Sequence, residues 1–157
     1  LGGQYREAVE SQRQALDINK SLLAENPKNM LARSEIGDGY NYIGEVLEKT
    51  RDTNGALESY RQAAAVREEM TNADPNDAQF RQAVAESYQT IGRVSTILAA
   101  ESHASRAARI SQLKDARSWY QRSLDIWKEL NSSGKLSAVD AENIAAIESE
   151  LGKCCKQ

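Results

Sequence analysis

Residues 40–47 read Tyr-Asn-Tyr-Ile-Gly-Glu-Val-Leu, and residues 56–63 read Ala-Leu-Glu-Ser-Tyr-Arg-Gln-Ala. In both stretches apolar and small residues recur at intervals of three and four, which is the spacing of one face of an α-helix. Residues 52–55, Asp-Thr-Asn-Gly, are typical of a turn followed by a helix cap. The sequence therefore predicts two helices that cross closely at Gly44 and pack the ring of Tyr60 between them.

The same pattern returns along the chain at a period of 48 residues. The turn at residues 26–29, Asn-Pro-Lys-Asn, returns at residues 74–77 as Asp-Pro-Asn-Asp. The first tyrosine and the glycine of the opening stretch return as Tyr88 and Gly92. A third copy of the second helix lies at residues 115–124, and twelve extra residues precede it. An internal period of this size is typical of helical repeat proteins.

The repeat resolves into helices. Residues 7–11 and 55–59 carry the similar strings Glu-Ala-Val-Glu-Ser and Gly-Ala-Leu-Glu-Ser, so the first helix is a copy of the third. The two prolines fall where a helix has ended, and Asn29 and Asp77 behind them are good N-caps. An all-α fold follows, because the chain has 22 alanines and few helix breakers. The predicted helices are 4–25, 29–50, 53–73, 77–102, 112–131 and 137–154.

The spacing of Tyr40, Ile43 and Gly44, followed by Ala56 and Tyr60, resembles the tetratricopeptide repeat. The resemblance implies a right-handed solenoid of antiparallel helix pairs, within a single repeat domain. Its predicted parts are a half repeat (1–25), a repeat (29–73), a repeat with an insert near 99–111 (77–131) and a closing helix (137–154). The family repeat has about 34 residues, so the longer period predicts longer helices around residues 74–75.

Composition excludes several classes of protein. With 20 basic and 23 acidic residues among 157, the net charge of −3 disfavours a nucleic-acid binder. A membrane-spanning helix needs about 20 consecutive apolar residues, which the sequence lacks. A single histidine, His103, and the adjacent Cys154 and Cys155 predict no metal site, no cofactor and no catalytic residues, and they favour a reducing cytoplasmic compartment.

In the tetratricopeptide family the first helix of each pair lines a concave face that binds a protein or peptide. The resemblance therefore implies partner-binding side chains on the second and fourth predicted helices. These residues are Asp38, Asn41, Glu45, Glu48, Glu86, Gln89, Arg93 and Thr96. The alternative interpretation is that each of them simply belongs to a solvated helix face.

The charges on this face select among ligands. Family members that bind the C-terminal carboxylate of a chaperone carry lysine, asparagine and arginine at such positions. Here only Asn41 and Arg93 are of that type, and four acidic residues surround them. Because these acids would repel a buried carboxylate, we expect a basic or neutral peptide.

The insert at residues 99–111 is basic through Arg106 and Arg109 and is followed by further basic residues, among them Arg122. One interpretation is a patch for an anion or an acidic partner. The favoured one is an extended helical hairpin with alanine inside and arginine in water. Of the two tryptophans, Trp119 and Trp127, we expect one in the core and one partly exposed.

Three functional hypotheses follow. The first is a protein-interaction scaffold that binds a peptide or protein on its concave face. The second is a structural spacer or self-association segment of a larger bacterial regulatory protein, such as a signalling kinase, with a homo-oligomer formed through the exposed first helix. The third is anion or nucleic-acid binding through the basic insert. Since the sequence begins at Leu1, we expect a piece of a longer protein.

Overall fold

A computed structural model of the chain describes residues 2–101, 105–136 and 138–154. The predictions on Leu1, Ser102, His103, Ala104, Ser137 and Cys155 lie outside these ranges. Six helices follow one another, and no strand occurs within the ranges given. They are α1 (Gly2–Glu25), α2 (Met30–Lys49), α3 (Thr53–Ala73), α4 (Ala78–Glu101), α5 (Arg106–Ser132) and α6 (Ala138–Cys154). The predicted all-α class is confirmed.

The helices form two compact units, Leu1–Asp74 and Pro75–Gln157. In the first unit α1 packs on α2 and α2 packs on α3, and in the second α4 packs on α5 and α5 on α6. Short connections make sequential helices antiparallel neighbours. Each unit is therefore a stack of three helices in chain order, as expected for a tetratricopeptide-like array. The prediction of a single domain stays a prediction.

Polar side chains set where the helices begin. Asn29 accepts a hydrogen bond from the Ala32 N–H at 3.1 Å, and Asp52 accepts one from the Gly55 N–H at 2.9 Å. Asp77 accepts from the Phe80 N–H at 3.1 Å. These bonds satisfy amide groups that lack partners in the first helical turn. The two caps predicted after the prolines are confirmed.

Two glycines allow the helices of a pair to cross closely. A Cβ atom on Gly44 of α2 would lie 2.7 Å from the Cε1 atom of Tyr60 on α3. In the second unit a Cβ on Gly92 of α4 would lie 3.0 Å from the ring of Tyr120 on α5. Each tyrosine ring therefore rests directly on the backbone of the facing helix, as the sequence predicts.

The first unit has its core between α1, α2 and α3. Val9 and Leu16 of α1 pack with Ile36, Ile43 and Val46 of α2 in one buried cluster. All five are nearly inaccessible to solvent. Helix α2 thus packs on both of its neighbours. Its apolar residues contact α1, and its Gly44 lies under the Tyr60 ring of α3.

The core of the second unit is centred on Trp127, which is fully buried against Tyr120, Leu130 and Ile147. Ile147 belongs to α6, so the closing helix covers the outer side of α5. The Ser123 hydroxyl of α5 donates to a backbone carbonyl of α4 at 2.6 Å. These contacts hold α5 between its two neighbours.

The fifth helix starts earlier than predicted. It begins at Arg106 rather than at residue 112, because the Ser105 hydroxyl caps it by accepting from the Ala108 N–H at 3.3 Å. No proline or glycine interrupts residues 106–111, so the helix can form over them. The arginines Arg106 and Arg109 are exposed, as expected. The alanine predicted inside is wrong for Ala107, which is exposed too.

The substitution Gly44→Ala tests the close crossing. The new methyl group would push the Tyr60 ring away, and we expect the free energy of unfolding to fall by roughly 1–2 kcal/mol, although alanine favours the helix. Urea denaturation followed by circular dichroism measures the change.

Gly37→Ala in the same helix is the matched control. Its Cβ would lie 3.6 Å from the nearest atoms of Arg67 and Val66, which is ordinary van der Waals contact. We expect it to leave stability unchanged or to raise it by up to about 1 kcal/mol through helix propensity. Equal destabilisation by the two variants would contradict the proposed role of Gly44.

Candidate functional site

The predicted site residues of α2 are tied to their own unit. Arg67 of α3 donates a hydrogen bond to the Asp38 carboxylate at 2.9 Å. The Tyr60 hydroxyl donates to the Glu48 carboxylate at 2.7 Å. Of the four polar groups in these two pairs, those of Arg67 and Tyr60 belong to α3. The acids at both ends of the predicted α2 face therefore also serve the α2–α3 contact.

The middle of that face is more open. The Asn41 side-chain amide donates to the Glu45 carboxylate at 2.7 Å, one helical turn further along. Glu45 is exposed, whereas Asn41 is half-buried. A ligand that approached α2 would therefore meet an exposed carboxylate already bonded to a neighbouring amide.

In the second unit a groove lies between α4 and α6, with α5 beneath it. Its volume is about 450 Å³. From α4 it is lined by the predicted residues Gln89 and Arg93 and by Thr90. From α6 it is lined by Ser149, Glu150 and a small alanine, and Tyr120 of α5 forms its floor. Two predicted side chains are thus brought together with residues that the sequence did not single out.

The electrostatics of the floor follow from its position. Burial and, after it, the charge of the nearby Glu150 carboxylate raise the pKa of Tyr120 from 10.0 to about 12. A hydrogen bond with Thr96 and the charge of Arg93 act in the opposite direction and lower this pKa. The phenol is therefore neutral at physiological pH. It lies near one negatively charged group, Glu150, and one positively charged group, Arg93.

The remaining predicted residues take different positions. The Thr96 hydroxyl donates to the Gly92 carbonyl at 2.9 Å, and Thr96 also bonds to Tyr120. Glu86 is exposed on α4. The α2 residues belong to the first unit and the α4 residues to the second. A single continuous face that includes all eight residues therefore stays a prediction.

The α6 part of the groove was missed because it depends on packing. The apolar residues Ile144, Ile147 and Leu151 turn α6 toward the core of the second unit. That orientation carries Ser149 and Glu150 to the side that faces α4. The apolar stripe fixes the orientation of α6. The residues beside that stripe then form the wall of the groove.

A second groove of about 430 Å³ lies in the first unit between α1 and α3. Tyr40 and Ile43 of α2 contribute to its lining, and Lys20 lies over the Tyr40 ring with its Nζ atom 5.3 Å from the ring centroid. Charged side chains of both signs surround it, including Arg13 and Glu58.

An aromatic and cationic cluster connects α4 and α5. The Arg122 guanidinium lies 4.2 Å from the ring centroid of Tyr88 and 4.6 Å from that of Trp119, and it donates to the Tyr88 hydroxyl at 2.6 Å. Such stacking stabilises an arginine at an aromatic face. Arg122 therefore takes part in packing, although the sequence counted it in the basic stretch. Trp127 is buried and Trp119 partly exposed, as predicted.

The described residues offer neither a metal-binding cluster nor a membrane-spanning helix. No group of three histidine, cysteine, aspartate or glutamate residues in these ranges is arranged to hold a metal ion. None of the six helices, as far as they are described, combines the length and apolar character needed to cross a membrane.

Comparison with known proteins identifies one repeat. Residues 38–77 match the family model described as Tetratricopeptide repeat. This range contains most of α2 and all of α3, with the Gly44–Tyr60 contact. Searches of curated proteins and of solved structures gave no match. A tetratricopeptide repeat therefore covers residues 38–77, almost all of them in the first unit, and such a repeat implies a helical protein-interaction module in general.

The raised pKa of Tyr120 predicts how stability depends on pH. Because the folded state holds the phenol proton more tightly than the unfolded state, the stabilisation is complete below pH 10 and is lost as the pH rises toward 12. Between pH 9 and pH 12 we expect the native chain to lose roughly 2 kcal/mol more than Tyr120→Phe.

Urea denaturation at several pH values measures both curves. The phenylalanine variant lacks the bond to Thr96 at every pH, so the slopes rather than the absolute stabilities are compared. Parallel curves for the two proteins would contradict the assignment. Absorbance titration gives an independent check, because the variant should lack a tyrosine ionisation step near pH 12.

Proposed function

We propose that the chain is a non-catalytic interaction module that binds a peptide segment of a protein partner in the α4–α6 groove. The observation that carries this proposal is that Gln89 and Arg93, predicted from the sequence, line one wall of an open groove. Ser149 and Glu150 line the opposite wall. The tetratricopeptide repeat of the first unit supports an interaction role for the whole chain.

The groove has the chemistry that an extended peptide needs. The Gln89 amide and the Ser149 hydroxyl supply both donors and acceptors for the amide groups of a peptide backbone. Arg93 and Glu150 carry opposite charges, so the groove itself does not select a strongly charged ligand. The Tyr120 ring at the floor provides an apolar surface for a side chain.

Exposed acidic residues on the helices of the predicted face bear on the ligand as well. Glu86 is an exposed acid of α4, and in the first unit Asp38 and Glu45 are exposed acids of α2. We therefore propose a basic or neutral peptide rather than a free C-terminal carboxylate. With Asn41, Glu48 and Thr96 these residues complete the predicted partner-binding face. From the cysteine usage we propose a reducing compartment, the cytoplasm.

The spacer hypothesis and the anion hypothesis differ from this proposal in what they require. A spacer needs no ligand groove, whereas the α4–α6 groove has polar side chains on both walls. An anion patch would draw on the arginines of the basic stretch, of which Arg106 and Arg109 are exposed but Arg122 lies against two aromatic rings. The groove therefore favours the interaction module.

A peptide library displayed on phage and selected on the whole chain supplies the probe. A selected peptide, synthesised with a fluorescent label, is then titrated with the chain and with the double variant Gln89→Ala/Ser149→Ala. Because two hydrogen-bonding groups are removed from the groove walls, we expect the affinity to fall about tenfold. Fluorescence anisotropy measures the dissociation constants.

The matched control is Gln62→Ala/Ser21→Ala, which removes an exposed glutamine and an exposed serine in the first unit. It should bind the peptide as the native chain does. Unchanged affinity of the groove variant, equal losses in both variants, or failure of the library to yield a binding peptide would each contradict the proposal.

A further inference from the structure

The groove between α1 and α3 in the first unit leaves the ring of Tyr40 open. Tyr40 and Ile43 of α2 form its floor, and side chains of α1 and α3 form its walls. Tyr40 is half-buried, whereas Tyr88, which has the same place in the second unit, is only 5% exposed. Both tyrosines lie four residues before the glycine at which their helix is crossed. Their different burial therefore reflects different neighbours.

In the second unit two side chains of α5 cover Tyr88. The Trp119 ring is tilted against it by 52°, and the ring centroids are 5.2 Å apart. The Arg122 guanidinium lies 4.2 Å from the Tyr88 centroid and 4.6 Å from that of Trp119, so one cation lies against both rings. Trp119 and Arg122 stand one residue before and two residues after Tyr120, the tyrosine that rests on Gly92. These offsets identify the same two positions in the first unit.

In the first unit the two positions hold smaller or uncharged side chains. Ser59 stands one residue before Tyr60 and Gln62 two residues after it, and both line the groove beside Tyr40. The Gln62 amide donates to the Glu58 carboxylate of its own helix at 2.9 Å. A serine and a glutamine thus stand where the second unit has an indole ring and a guanidinium. The groove is the space that the larger groups fill in the second unit.

A cation is already present beside Tyr40. The Nζ atom of Lys20 on α1 lies 5.3 Å from the Tyr40 ring centroid, which is within the range of cation–π attraction. Lys20 therefore supplies from α1 the charge that Arg122 supplies from α5 in the second unit. The group that would complete the arrangement is a second aromatic ring. Asp17 and Glu58 add carboxylate oxygens on the two walls, which can accept a hydrogen bond.

We propose that the α1–α3 groove binds the side chain of a tryptophan from a partner protein. The indole ring packs on Tyr40 as Trp119 packs on Tyr88, and Lys20 lies against both rings. The indole N–H donates to a carboxylate of the groove wall, which distinguishes tryptophan from phenylalanine. The groove volume of about 430 Å³ accommodates the indole ring.

The ring comes from another polypeptide, because both tryptophans of this sequence are already engaged. Trp127 is buried in the core of the second unit, and Trp119 packs on Tyr88. The groove carries two bases, Arg13 and Lys20, as well as two acids, so it requires no particular charge beside the tryptophan. Its lining belongs entirely to the first unit, so the site does not depend on the α4–α6 groove.

The probe is the neutral peptide acetyl-Ser-Gly-Trp-Gly-Ser-amide, titrated into the whole ¹⁵N-labelled chain. Heteronuclear NMR spectra should show saturable shifts of the backbone N–H resonances of Ser59 and Gln62. The same peptide with alanine in place of tryptophan should cause none. Shifts at Gln89 and Ser149 instead would place the peptide in the α4–α6 groove and would overturn this proposal.

Lys20→Met removes the cation and keeps an aliphatic stem over Tyr40. We expect the dissociation constant of the tryptophan peptide to rise about three- to fivefold, which is the size of a cation–π contribution at an exposed site. Lys49→Met is the matched control, because Lys49 is also an exposed lysine of the first unit, in the last turn of α2. It should leave the dissociation constant unchanged.

Ser59→Trp gives α3 the ring that α5 carries as Trp119. The new ring should cover Tyr40 from within the chain and weaken peptide binding at least about tenfold, while circular dichroism verifies that the helices are kept. Where this variant does not fold, the two lysine variants decide. Absence of saturable shifts, equal loss in both lysine variants, or unchanged binding by Lys20→Met or by folded Ser59→Trp would each overturn the proposal.

Discussion

The close crossing of paired helices is the constraint on which the rest of this structure depends. The ring of Tyr60 rests on the backbone at Gly44, and the ring of Tyr120 rests on the backbone at Gly92. A Cβ atom at Gly44 would clash with the Tyr60 ring, and one at Gly92 would be tight against the Tyr120 ring, so the ring or the helix would have to shift. The crossing therefore fixes the distance between the helices. That distance in turn determines how the apolar side chains on either side of the crossing pack.

The same contact connects packing with the candidate site. The Tyr120 ring that rests on α4 is also the floor of the groove between α4 and α6. Its hydroxyl lies among Thr96, Arg93 and Glu150, so groups that line the groove also set the pKa of a core residue. A substitution at the floor would change both stability and the groove, whereas Gln89 and Ser149 on the walls offer changes that separate the two.

Much of this arrangement could be predicted from local sequence, and the parts that could not have identifiable causes. Gly44, Tyr60 and the capping residues act over a few residues or one helix crossing, so their spacing identified them. The predicted start of α5, residue 112, is later than the observed start at Arg106. Residues 106–111 are good helix formers, and the boundary is marked only by the cap Ser105. The groove wall on α6 was missed because its position depends on where Ile147 packs, which is a long-range contact.

Helices α1, α3 and α5 correspond to one another in the repeat. Comparing them separates the positions that pack helices together from the positions that differ between them. Positions that keep their character in all three, such as Ala8, Ala56 and Ala116, serve the crossing of helices. Positions that change mark where one helix meets a different neighbour. The glutamates that pair with arginine in α3 and α5 become Ser21 in α1, although the apolar residues beside them remain. The apolar positions are thus common to the three helices, whereas the ion-pair position differs in α1.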